Sequence, residues 1–395
     1  MNIILLIIVI FQKYLWNKNI LFIIMFIKDT IKYLSILNEY KNIKIQKLYK
    51  NIFFKQLFNE LNIIYKDIIK NFSNKNIIIK NILIDKNINI NEFITENIKN
   101  KINKTIKYGY LIHYENIILK YYRSKKINNN ILPKLIIHIL IITKSLLILF
   151  KQNFKNNIQR INYYELNHKK VFPKNNNILS PYEINSGLTY INVSEYGEIT
   201  LFRKEEILKV LIHELIHSNL IDKNIIFSNL STSYNNMFCV NYNILLNEAF
   251  TETIANILNI IFINIMHQDS NIDMLNDMFK NEVKYSIYIY SKIMDYYKIN
   301  NIKDIIKNKD GKCIKIFPQK TNVFSYYFLK SILLLKHISF GNILNNLNSK
   351  FELKNDDIMN IIELINNNIE LLNKYKYNIK DKNKSLRLTL YEYNL

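Results

Sequence analysis

The chain has 395 residues, enough to bury a large apolar core and to form more than one region. Its formal net charge of +22 would suit nucleic-acid binding, but only four residues are arginine and no nucleic-acid-binding motif is present. The excess of asparagine, isoleucine and lysine over glycine and proline is typical of an AT-rich genome, so we expect lysines on solvated faces and no specific nucleic-acid partner.

Residues 1–27 contain two apolar runs, Ile3–Phe11 and Ile20–Ile27, separated by polar residues. Neither run reaches the roughly 20 residues that span a bilayer. A signal peptide is a poor fit, because no basic residue precedes the first run and no small-residue cleavage site follows. We expect an intracellular rather than a secreted protein, and membrane association through residues 1–27 stays open as an alternative.

The two cysteines, Cys239 and Cys313, could form one disulfide. A single pair does not make a disulfide framework, and neither cysteine lies at a metal-binding spacing. We therefore expect free buried thiols, as in proteins of a reducing compartment.

Residues 28–155 are predicted to form a helical accessory region without chemistry of its own. Apolar residues recur at helical spacing from about Lys28 to Asn76, and Leu135–Phe150 is a strongly apolar helix. Tyr108–Tyr122 differs from this pattern and predicts a β-hairpin.

From Ile161 the pattern changes towards strands. Ile161–Leu166 alternates, and Leu188–Val193 and Glu198–Arg203 are predicted to pair through a turn in which Gly197 suits a positive φ. We predict an α+β fold: a helical N-terminal region, then a domain with a small sheet over residues 156–345. Residues 346–395 add an amphipathic helix and a Lys/Asn-rich tail that we expect to fray.

The segment Ile207–Leu220 contains the sequence H-E-L-I-H at His213–His217. In a helix, His213 and His217 lie one turn apart on one face and can bind a single tetrahedral metal ion. Glu214 projects beside them, where a carboxylate can take a proton from metal-bound water. Apolar residues cover most of the helix circumference, so this helix should be buried.

A second long apolar helix, Ile244–Met266, carries Glu248 and Glu252 one turn apart. Buried carboxylates are costly unless they are paired or bound to a metal. Two histidines lack one protein ligand for a catalytic site of two histidines and one glutamate. By position alone, either glutamate could reach the metal, and the other could accept a hydrogen bond from a ligand histidine.

H-E-x-x-H followed by N-E-x-x-x-E from Asn247 resembles the gluzincin metallopeptidases, the thermolysin-like and aminopeptidase-like clan. The resemblance implies a zincin-like peptidase domain that uses Zn²⁺ and acts on a polypeptide substrate. It also implies that His213, His217 and Glu248 bind the metal, that Glu214 is the general base and that Glu252 orients His213. The stretch from NSGLT to NEAFTE is also similar to predicted metallopeptidases of large DNA viruses.

The same resemblance implies two further sets of site residues. Ser186 and Gly187 stand where an edge strand would bind the substrate backbone, although a turn at the entry of a strand explains them equally well. A downstream tyrosine or histidine would stabilise the oxyanion, and the candidates are Tyr326, Tyr327 and His337.

We therefore expect zinc-dependent hydrolysis of peptide bonds, with zinc-bound water activated by Glu214. The alternative is a catalytically inactive zinc-binding protein that acts as a binding or structural module. The intact Glu214 argues against that alternative, because a structural zinc site needs no base. A lysine-rich nucleic-acid-binding protein would leave Glu248 and Glu252 unexplained.

Overall fold

The computed structural model describes residues 26–40, 43–73, 76–85, 91–127, 132–151, 158–174, 177–192, 194–228, 237–267, 271–345 and 352–393. The two apolar runs behind the predicted membrane association of residues 1–27 therefore lie outside the described residues, apart from Phe26 and Ile27. These two residues join the folded chain, because Phe26 forms a β-bridge with Tyr393 and the Ile27 amide donates to the Glu392 carbonyl.

One mixed sheet runs in the order β1-β2-β3-β4-β6-β5 through the described residues. Antiparallel pairing joins β1, β2 and β3, parallel pairing joins β4 to β3 and to β6, and β5 is antiparallel to β6. The strands are β1 Ile77–Ile82, β2 Tyr108–Tyr114, β3 Ile117–Arg123, β4 Gln159–Tyr164, β5 Gly187–Tyr190 and β6 Glu198–Leu201.

Helices form most of the remaining regular structure in the described chain and make the fold α+β, as predicted. They are α1 Lys28–Asn38, α2 Ile52–Asn71, α3 Glu96–Thr105, α4 Lys134–Phe150, α5 Pro181–Ile184, α6 Ile207–Ser218, α7 Lys223–Phe227, α8 Leu246–Met266, α9 Ile272–Tyr296, α10 Lys330–Leu335, α11 His337–Leu344, α12 Asn355–Asn366 and α13 Leu371–Tyr375. A π-helix over Phe324–Leu329 leads directly into α10.

The core is organised around α8, which packs against α6, α9, α10 and the π-helix. Within the described chain, α8 is long and apolar enough to cross a membrane, but 94% of its apolar window is buried in the protein, as expected of a central core helix. One apolar cluster extends from Phe26 to Tyr391. The described parts of the four predicted segments thus share one core, and their boundaries stay a prediction.

The predicted strands are confirmed. β2 and β3 form the hairpin, β4 overlaps the alternating segment Ile161–Leu166, and β5 pairs with β6. Besides helices and the predicted hairpin, residues 28–155 contribute β1, a strand that was not predicted and that pairs with β2. Gly197 was expected to need a positive φ, but its φ lies outside the left-handed region. Close packing requires glycine there, since a Cβ would lie 2.7 Å from Thr189 Cγ2 and 2.8 Å from the Tyr190 carbonyl oxygen.

Two predictions about the C-terminal half are also wrong. Cys239 and Cys313 form a disulfide and are not free thiols, because two β-bridges bring their segments together. The C-terminal tail does not fray over residues 385–392. Leu386, Thr389 and Leu390 are fully buried there, and backbone amides of this segment donate to two buried carboxylates, those of Glu206 and Glu282.

Candidate metal centre

The helix α6 lies at the centre of the candidate site, and each of its residues is buried. It follows β6 after a short turn in which Glu206 adopts a left-handed backbone, with a φ of 60°. Glu206 does not cap the helix with its side chain. Its carboxylate accepts hydrogen bonds from the Leu388 and Thr389 amides and pairs with the buried Lys170 at 3.1 Å. On its other sides α6 packs against α4, α8, β5 and β6.

Three donor atoms from α6 and α8 converge on one point. The Nε2 atoms of His213 and His217 lie 3.1 Å apart, and Glu248 Oε2 lies 3.3 Å from the first and 3.6 Å from the second. A tetrahedral zinc ion with bonds of about 2.0–2.1 Å holds its donors about 3.3 Å apart. The separations and the donor types therefore fit one zinc ion among His213, His217 and Glu248.

Glu252 lies one turn beyond Glu248 and contacts the opposite side of the first histidine. Its Oε2 atom is 2.9 Å from His213 Nδ1, which is the contact predicted for Glu252. Its Oε1 atom pairs closely with Lys209 and lies 3.8 Å from Lys330 Nζ. Burial raises the pKa of Glu252, but the charge of Lys209 and the hydrogen bond from His213 outweigh burial and bring it to about 2.

Asp222 contacts the second histidine in the corresponding way, and sequence reasoning missed it. Asp222 Oδ2 lies 2.8 Å from His217 Nδ1, and the side chains of Asn247 and Thr251 donate to the same oxygen at 3.3 and 3.4 Å. Asp222 lies between the two predicted helical segments, Ile207–Leu220 and Ile244–Met266, so no helical spacing pointed to it. The one available signal was an acid soon after the second histidine.

Glu214 is buried beside the metal-binding atoms without being one of them. The Thr189 hydroxyl donates to Glu214 Oε2 at 2.8 Å and thereby attaches the carboxylate to β5. Burial raises the pKa of the Glu214 carboxyl above its usual range, although the neighbouring histidines oppose this shift. Gly187 makes room for the carboxylate, because a Cβ there would lie 2.9 Å from Glu214 Oε1.

Only one of the three predicted oxyanion candidates lies at the centre. Tyr326 belongs to the π-helix, and its hydroxyl donates to Glu248 Oε2 over 3.1 Å. Short π-helices often occur at functional sites. Tyr327 projects elsewhere, because its hydroxyl donates to the Leu386 carbonyl. His337 packs on Phe279 in the core, with ring centroids 4.5 Å apart. Of the three candidates, the structure therefore leaves Tyr326 beside the centre and places the side chains of Tyr327 and His337 away from it.

The centre opens into a narrow cavity of about 30 Å³. Glu214, Gly187, Ser186 and Tyr326 are among its lining residues. Ser186 Oγ is buried there and has no hydrogen-bond partner among the described residues. A cavity of this size holds a water molecule, which needs about 10–15 Å³ of probe-occupied volume, but it does not hold a peptide.

No protein-family model matches this chain, and no solved structure matches it. An uncharacterised protein of Acanthamoeba polyphaga mimivirus is 25% identical over 211 residues, which cover 50% of this chain and 51% of the viral protein. The chain thus spans about half the length of this relative. The predicted similarity to proteins of large DNA viruses is confirmed at this level, and the centre holds a group of residues able to bind a metal. The chain is a distant relative of a giant-virus protein, with a candidate metal centre between α6 and α8.

Proposed function

We propose that this protein is a zinc metallopeptidase that hydrolyses peptide bonds at the centre between α6 and α8. The convergence of His213, His217 and Glu248 on one point, with Glu214 beside them, carries this proposal. Bound zinc would act as a Lewis acid, which lowers the pKa of water and polarises a carbonyl group.

Glu214 is the residue that moves the proton. Thr189 holds one oxygen of its carboxylate, so the other is free to accept a proton from the attacking water. The same carboxyl group then delivers that proton to the leaving amine. Burial raises the pKa of this carboxyl group, which favours its holding the proton between the two transfers.

The sheet supports a polypeptide as the substrate. β5 ends the strand order, so its outer edge has no strand partner among the described residues. An extended peptide can add to such an edge through backbone hydrogen bonds. Ser186 and Gly187, which lie at the start of β5 and line the cavity, would then contact the substrate backbone near Glu214.

Tyr326 is positioned to stabilise negative charge on the substrate. Its hydroxyl is a hydrogen-bond donor beside Glu248, and burial together with the nearby carboxylates raises its pKa well above the ordinary value, so it keeps its proton. A preorganised donor at a developing oxyanion typically contributes about 3–4 kcal/mol to catalysis.

The narrow cavity favours a second candidate, a zinc-binding protein that does not hydrolyse peptides. His213, Glu214, His217 and Glu248 are each less than 10% exposed, so a peptide can reach them only if the cleft widens. A centre that stays inaccessible to peptides would bind zinc without hydrolysing them, even though three protein ligands leave one coordination position open as in a catalytic site.

A peptidase assay on the full chain separates the two candidates. Purified protein should contain about one zinc ion per chain and cleave a quenched fluorescent peptide library. Glu214→Gln should keep the zinc and abolish cleavage, because this residue does not contribute a metal-binding atom. Zinc without cleavage in the wild-type protein would support the inactive candidate, and cleavage by Glu214→Gln would exclude Glu214 as the base.

A further inference from the structure

We propose that Asp222 is a positioning residue for the metal centre, which fixes the tautomer of His217 and raises the electron density on its metal-binding nitrogen. This inference rests on the proposed metal centre. It assigns a role to a residue that lies outside both the H-E-x-x-H and the N-E-x-x-x-E patterns.

The hydrogen bond between Asp222 and His217 determines which imidazole nitrogen carries the proton. Asp222 is fully buried, and its Oδ2 atom lies 2.8 Å from His217 Nδ1. A carboxylate can only accept, so Nδ1 donates, and in the neutral imidazole that binds a metal Nε2 then carries the free lone pair. That lone pair faces His213 Nε2 and Glu248 Oε2, the other two atoms of the candidate centre.

The backbone turns Asp222 inwards. Leu220 has a φ of 56°, which bends the chain at the end of α6, and Asp222 then becomes the residue before α7. Aspartate at this position usually caps the helix with its side chain, but Asp222 makes no such bond. Its carboxylate instead bonds His217, Asn247 and Thr251, so it connects α6 to α8. This arrangement also gives Asn247, the residue before Glu248, a structural role.

Among the described residues, the negative charge of Asp222 acts on His217 without a lysine or arginine partner that would neutralise it. Apart from His217, the donors that reach Asp222 among the described residues are neutral, and neither lysine nor arginine forms an ion pair with it there. A carboxylate that accepts from a ligand histidine makes the metal-binding nitrogen more basic. The effect should be large here, because the site is buried and no lysine or arginine of the described part of the chain pairs with the carboxylate.

The test is the zinc affinity of Asp222→Asn in the full chain. The substitution keeps the size of the side chain and one acceptor oxygen but removes the charge. The zinc dissociation constant, measured by competition with a chromogenic chelator, should rise about 10–100-fold. Glu282→Gln is the matched control, since it also converts a fully buried carboxylate with neutral donors to an amide but contacts no histidine. It should leave zinc affinity unchanged.

Two further measurements separate positioning from a general contribution to folding. Zinc-free Asp222→Asn should still show the circular dichroism of the wild type and a cooperative melting transition, so that a weaker zinc affinity is measured on folded protein. In ¹⁵N spectra of the zinc-loaded wild type, His217 should bind through Nε2 and carry a hydrogen-bonded proton on Nδ1, a result that needs no variant to fold. An unprotonated Nδ1, or unchanged zinc affinity in Asp222→Asn, would overturn the proposal.

The outcomes also distinguish this proposal from the proposed activity. Weaker zinc binding by Asp222→Asn supports the positioning role even if the wild type cleaves no peptide, because affinity is measured without turnover. A wild-type protein that binds no zinc would overturn both proposals.

Discussion

The two ends of the candidate centre present their histidines to one point but surround them differently. At the His213 end, the orienting carboxylate of Glu252 pairs with two buried lysines, Lys209 and Lys330. At the His217 end, Asp222 accepts from the histidine and from neutral side chains only. Helical spacing makes the two histidines equivalent, and their surroundings make them different.

This difference shows how a buried centre balances its charge. The Glu252 end is compensated by its own lysines, so its carboxylate is stable in the fold without a metal. At the other end, burial lowers the pKa of His217, but the charges of Asp222 and Glu248 outweigh burial and raise it well above its ordinary value. Among the described residues no lysine or arginine pairs with Asp222, so we expect that end to depend more on the metal.

Removing the ligand shared by both ends should have the largest effect. Glu248→Ala should lose nearly all zinc, because two histidines alone do not complete the site. Metal analysis of dialysed protein measures this loss, and His217→Ala should behave alike. Glu252→Ala is the comparison: it should keep measurable zinc with about 10–100-fold lower affinity. The reverse order for Glu248→Ala and Glu252→Ala would identify Glu252 as the ligand.

Lys209→Met should make the two ends more alike by removing a cation from the Glu252 end. Breaking a buried ion pair leaves an uncompensated charge, so the free energy of unfolding should fall by about 3–5 kcal/mol. Chemical denaturation of the zinc-free protein measures this change. Lys204→Met is the control, because Lys204 is half-exposed and its ion pair with Glu165 spans 3.7 Å. Such a surface pair contributes only about 0–1 kcal/mol. Equal losses of unfolding free energy in the two variants would contradict the expected difference between the buried and the surface ion pair.

Gly187→Ala should affect the base without disturbing either end. The added Cβ would lie 2.9 Å from Glu214 Oε1 and 3.0 Å from Leu201 Cδ2, so the carboxylate must shift. We expect zinc content to stay unchanged and peptide turnover to fall about 10-fold or more, because a misplacement of about 1 Å is costly in catalysis. Turnover and zinc content should be measured on the same preparation. A loss of zinc would instead show that Gly187 is needed for the packing of the metal-binding residues.

His337 provides a reference histidine outside the centre. Burial lowers its pKa from 6.5 to about 4 in the folded protein. As the pH falls below 6.5, the unfolded chain binds the proton first, so folding stability decreases until about pH 4. His337→Phe should remove this loss, which amounts to roughly 1 kcal/mol at pH 5.5. The measurement is the pH dependence of unfolding for both zinc-free proteins, and identical slopes would contradict the shift.

The sequence by itself determined the local parts of this protein. Helical spacing placed His213 and His217 on one face of α6, and the apolar run around Glu248 and Glu252 predicted the buried helix α8. Alternation predicted the β2–β3 hairpin, β4 and the pair β5 and β6. These features depend on residues that are near neighbours in the chain, which is why short patterns reveal them.

The tertiary structure alone decided the long-range contacts. It brought Asp222 to His217, attached Glu214 to Thr189, placed Lys209 and Lys330 beside Glu252, joined Cys239 to Cys313 and buried residues 385–392. It also decided that the hydroxyl of Tyr326 reaches the centre, whereas that of Tyr327, the next residue in the π-helix, bonds the Leu386 carbonyl. Such contacts depend on how distant segments pack together, and neither the spacing of residues in the chain nor their local preferences carry that information.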